Sequence, residues 1–154
     1  MQKVSTPLPE KSVEHDLAKC KIDHIETYLY DTKRIESGVI GIIDKSMCGL
    51  MVISSRNMSG FAEYFIPIEN RHFDLVQWAK VFMKLKGVSI PVALDIVEEK
   101  DKLGGPIRTN LAKASLMDLA SKLRNPAMQR EGNTHISWLD RAVLFDYSQA
   151  YFSC

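Results

Sequence analysis

The stretch from Met47 to Pro67, MCGLMVISSRNMSGFAEYFIP, constrains the fold more than any other. Its first half sends Leu50, Val52 and Ser54 to one side and Met51, Ile53 and Ser55 to the other, the period of two that a β-strand imposes. Both sides carry apolar weight, as expected of a sheet that packs against helices. RNMSG, Arg56 to Gly60, supplies a turn, with Asn57 and Gly60 able to take backbone conformations that other residues resist. FAEYFI is the returning strand. A hairpin is therefore the element around which the rest must be arranged.

Upstream, KIDHIETYLY offers Ile22, Ile25, Tyr28, Leu29 and Tyr30 in an imperfect alternation that reads as a further strand. Between the two lies Asp31 to Ser46, where Gly38 and Gly41 interrupt a β-branched run, and a loop flowing into a sheet edge is expected. After Pro67 the period changes. HFDLVQWAKVFMKLKG puts Leu75, Trp78, Ala79, Phe82 and Leu85 on one helical stripe. Asp74 serves as its N-cap with Gln77 three residues on, Phe73 can staple to Trp78, and Gly87 is the stop. A second helix opens near Pro91 with Val92, Ile96 and Val97 inward, and Gly104, Gly105 and Pro106 end it. The third, NLAKASLMDLASKLRNPAMQ, carries Ala112, Ser115, Leu116, Leu119, Ala120 and Leu123 on a stripe whose small residues allow close helix packing. Asp118 and Lys122, four apart, pair on its flank for a few tenths of a kcal/mol, and Asn125–Pro126 ends it.

Strands followed by helices give an α+β domain, a three-stranded antiparallel meander followed by a three-helix bundle. The expected layout is a flexible arm over 1–18, a domain over 19–132 and a tail over 133–154. In that tail RAVLFDYS has the content of a short strand, which must pair with the sheet, pair with another chain, or stay loose.

Composition narrows the function classes. Lys plus Arg number 20 and Asp plus Glu 19, so no basic surplus points to nucleic acid or a membrane surface. No segment reaches a membrane span's run of apolar residues, and the N-terminus has no apolar signal core, so a cytoplasmic location is expected. Cys20, Cys48 and Cys154 are odd in number and show no CxxC spacing, which leaves neither a disulfide framework nor a cysteine zinc site. Cys48 reads as a small core residue. His24 and Glu26 share a strand face, but two ligands do not define a metal site, and His15, His72 and His135 are scattered. No nucleophile elbow, phosphate loop or dinucleotide fingerprint occurs. Glu98, Glu99 and Asp101 form a solvated face beside Lys100 and Lys102. Glu63, in an apolar strand, is given a structural role. Trp78 is assigned to the core, and Trp138 is divided between packing and contact with a partner.

The opening strand, the hairpin LMVISSRNMSGFAEY and the helix NLAKASLMDLASKLRNPAMQ, in this order, resemble the N-terminal capping domain of the enolase superfamily, of the mandelate racemase and muconate-lactonizing type. The resemblance covers Lys21 to Gln129. The family's glycine-rich hairpin end is matched by Gly60 and Glu63, with Ala62 in place of the second glycine. Its last cap helix is matched by Ala112, Leu116, Asp118, Leu119, Lys122 and Pro126, with Ser115 and Ser121 replacing small residues.

In that family a following barrel supplies the Mg²⁺ ligands and the acid/base groups that abstract a proton α to a carboxylate, while the cap supplies two loops that close over the substrate. The resemblance thus implies substrate loops at Asp31–Ser46 and Tyr64–Asn70, with Lys33, Arg34, Tyr64 and Phe65 as candidates, and structural parts for Gly60, Glu63 and Asp118. A barrel of about 250 residues does not fit between Gln129 and Cys154, so no catalytic residue, metal ligand or cofactor carries over. The expectation is a stand-alone or truncated capping domain, inactive alone. The alternatives are a cap acting in trans on a separately encoded barrel of the isomerase or lyase kind, and a small-molecule-binding or regulatory domain. A homodimer is expected, with Ile42, Ile43, Trp138 and Phe145 as interface candidates.

Overall fold

In the computed structural model the described residues are 16–30, 46–67, 73–100, 102–125, 148 and 150–154. β1 (His24–Tyr30), β2 (Ser46–Ser55) and β3 (Met58–Pro67) form the expected antiparallel meander. A fourth strand, β4 (Ala150–Ser153), pairs antiparallel with β1, so the sheet order is β3-β2-β1-β4. The sheet therefore has four strands where three were expected. The tail strand is AYFS and belongs to the domain's own sheet; RAVLFDYS falls outside the described residues, save Ser148. Residues 16–18, the last of the expected arm, make a helical turn, and Leu17 is buried in the core.

The hairpin closes through a two-residue turn at Arg56 (φ 50°) and Asn57 (φ 64°). Both residues are left-handed, as a turn matched to strand twist requires. Gly60 takes no part in it. It lies inside β3 opposite Ile53, and its reason for being glycine is packing.

The helices cover one face of the sheet. α1 (Leu75–Ala79) starts where Asp74 Oδ1 accepts the Gln77 backbone N–H at 3.2 Å, and it tightens into a 3₁₀ helix over Lys80–Leu85. Leu75, Ala79, Phe82 and Leu85 are buried, as the stripe required. Gly87 (φ 79°) ends the segment. α2 (Ile90–Glu98) turns Ile90, Ala93 and Val97 inward and leaves Val92 exposed, against expectation. The stripe begins one residue before Pro91, which occupies the first turn. α3 (Pro106–Arg124) likewise begins at Pro106, the residue expected to end the previous helix.

α3 is the main prop of the sheet, packing on β3 and β2 through Leu111, Ala112, Leu116, Leu119 and Ala120. Each buried leucine there contributes about 2 kcal/mol of transfer free energy. Ser115 is also fully buried, and its hydroxyl is satisfied by donating to the Leu111 carbonyl at 3.0 Å. Thr27 is not so satisfied. It is completely buried on the helix-facing side of β1, in register with Met51 and Phe152, and its hydroxyl has no hydrogen-bond partner. Thr27→Val keeps the branched shape and removes the unpaired hydroxyl, so it should raise the unfolding free energy by about 1 kcal/mol. The readout is a higher urea midpoint at unchanged slope; a lower midpoint would refute the reading.

Candidate functional site

Register determines where the two expected loops leave the sheet. Tyr30, the last residue of β1, is opposite Cys48, and Cys48 is opposite Phe65. Ser46, where β2 begins, is opposite Pro67, where β3 ends. The chain therefore departs at Tyr30, re-enters at Ser46 and departs again after Pro67, all at one end of the sheet. Among the described residues this end carries the cross-strand row Tyr30–Cys48–Phe65 on one face, and Tyr64 and Ile66 on the other.

Tyr64 and Phe65, neighbours in sequence, do different things because a strand sends successive side chains to opposite faces. The structure places Tyr64 in the core. Its ring lies over Gly49, where a Cβ would overlap the ring's hydroxyl end, and its hydroxyl donates to the Tyr28 carbonyl at 2.9 Å. It also stacks on Trp78, with ring centroids 5.1 Å apart and planes at 25°. Trp78 is further enclosed by Phe73 and Phe82 edge-on and by the Arg108 guanidinium 5.9 Å from the ring centroid. Tyr64 thus has a structural part instead of the substrate-facing part expected of it. Phe65 points the other way and is 43% exposed. Lys33 and Arg34 lie outside the described residues, as do Ile42, Ile43, Trp138 and Phe145.

The face away from the helices is apolar at this end. Tyr28, Tyr30, Leu50 and Val52 are buried there, with Cys48, Phe61 and Tyr151 half-buried against them. Tyr28 stacks on Tyr30 and tilts against Tyr151. The Tyr30 hydroxyl is buried and has no hydrogen-bond partner. Polar groups join this face from the row Glu26–Val52–Phe61 onward. Glu26, itself buried, receives His24 Nε2 at 3.3 Å and the Tyr151 hydroxyl at 3.5 Å on the same carboxylate oxygen, and the Ser54 and Ser59 hydroxyls bond each other at 2.8 Å. Among the described residues no three His, Cys, Asp or Glu side chains gather as a metal site. No described helix is long and apolar enough to cross a membrane.

No family model, curated protein or solved structure matches the chain. The residues assigned structural parts by resemblance are nonetheless placed. Gly60 is the point of closest approach between β3 and α3: a Cβ there would lie 2.5 Å from the Leu119 backbone nitrogen and still closer to the Ser115 carbonyl oxygen. Asp118 Oδ2 accepts the Phe61 backbone N–H at 2.9 Å and the Lys122 ammonium at 2.8 Å, and Lys122 also donates to the Ser59 carbonyl at 2.9 Å. Glu63 is exposed on the edge strand. The residues alone pair Asp118 with Lys122 on a helix flank, and the resemblance gives Asp118 a structural part without naming its contacts. Their bonds across to β3 required knowledge of which strand α3 covers.

Two of the buried phenols, Tyr30 and Tyr64, give the domain an alkaline limit. Burial raises both Tyr64 and Tyr30 well above the ordinary tyrosine value, with Tyr30 and Cys48 adding to the rise at Tyr64, and Tyr28 and Cys48 at Tyr30. The folded state then holds both protons more tightly than the unfolded chain. Stability is unaffected below the unfolded value of about 10 and falls above it, by about 1.4 kcal/mol per pH unit for each phenol. Urea unfolding followed from pH ~9 to ~11 should show this loss, and Tyr64→Phe or Tyr30→Phe should each reduce its slope. A pH-independent midpoint across that range would contradict the burial of both hydroxyls.

Proposed function

We propose that the chain is a capping domain of the mandelate racemase and muconate-lactonizing type, with no catalytic activity of its own. The observation that carries this reading is the common exit of segments 31–45 and 68–72 from one end of the sheet, fixed by the pairings Tyr30–Cys48–Phe65 and Ser46–Pro67. A domain built to present two segments side by side needs a rigid platform beneath them. The Tyr64–Gly49–Tyr28 contact and the Trp78 cluster supply it on the helix side. The three meander strands preceding the helices, and the close seating of α3, which bears Asp118, on Gly60, support the same reading. Incubated with Mg²⁺ and α-protonated carboxylic acids in D₂O, the pure chain should show no exchange above background. Robust exchange abolished by EDTA would overturn the proposal.

The exposed Phe65 ring favours a second reading, a cap that closes over a separately encoded barrel. An apolar ring at the very end where both segments depart is suited to a protein or substrate surface. A barrel protein recovered with this chain should exchange α-protons faster when the chain is present, and Phe65→Ser should reduce that gain. Equal rates with and without the chain would exclude it.

A further inference from the structure

We draw no further inference here: the strongest candidate, the exposed and charge-free outer stripe of α3 formed by Ile107, Asn110, Ala114, Met117 and Ser121, is an unpartnered helix face, and nothing in the structure shows what covers it.

Discussion

Gly60→Ala should lower the unfolding free energy by roughly 3 kcal/mol, at the upper end of what overpacking usually costs. The reason is the identity of the atoms it meets. The added methyl would sit against the Ser115 carbonyl oxygen, the Leu119 backbone nitrogen and the Leu119 Cβ. None of these is the far end of a flexible side chain, so relief requires the whole of α3 to back away from β3. That movement would loosen the contacts of Leu116 and Leu119, which are completely buried. With a total stability of about 5–15 kcal/mol for a domain, Gly60→Val should leave little folded protein. Gly87→Ala is the control. Its φ of 79° strains any residue with a side chain, but nothing lies within 4 Å of the added atom. That substitution should cost about 1 kcal/mol. Chemical denaturation of the two variants side by side decides the matter. Equal losses would mean that Gly60 is present for backbone freedom and not for close approach. Ser115→Gly should fail to rescue Gly60→Ala, because the clash is with the backbone of residue 115 and not with its hydroxyl.

Legibility in the sequence depends on the range of the interaction concerned. The hairpin and the helix stripes are written in periods of two and of about 3.6, and Met51, Ile53, Phe82, Leu116 and Leu119 are buried as those periods require. Glycine announces backbone freedom, so Gly60 reads as a turn residue; that it touches Ser115 is a fact about two residues more than fifty positions apart. Counting the helical period from Pro91 turns Val92 inward, but Ile90, just before the proline, takes the core position. β4 escapes the sequence reading for a different reason. A four-residue strand has almost no period of its own, and its assignment rests on the unpaired edge that β1 offers. At the candidate site, reading Tyr64 and Phe65 together as one loop end obscured the alternation that buries the first and exposes the second. The common end shared by the two segments could be foreseen in part, since a meander returns each connection to a predictable end, but the row Tyr30–Cys48–Phe65 needed the register.

Asp118→Ala should cost about 2 kcal/mol, the range for a hydrogen bond to a charged group, and should also make the domain prone to associate. β3 is an edge strand. Across the two-residue turn the pairs Ser55–Met58 and Ile53–Gly60 face each other through their hydrogen bonds, so the intervening Ser59 and Phe61 turn their backbone groups away from β2. Outward groups of this kind are what a second strand would seize. Here Asp118 takes the Phe61 N–H, and Lys122 takes the Ser59 carbonyl while its ammonium lies 4.5 Å from the centre of the Phe61 ring. The salt bridge between the two is half-exposed and worth little by itself. Its value lies in holding a donor and an acceptor over the edge. Asp118→Asn separates these contributions, because the amide oxygen can still accept from Phe61 while the charge that fixes Lys122 is gone. It should keep about half of the lost stability and stay dispersed, whereas Asp118→Ala and the double variant with Lys122→Met should scatter light at concentrations where the parent does not. If Asp118→Asn unfolds as readily as Asp118→Ala, the charge pair matters and the edge seal does not. If neither variant differs from the parent in midpoint or in scattering, α3 protects β3 by simple coverage, and the two side chains are incidental to it.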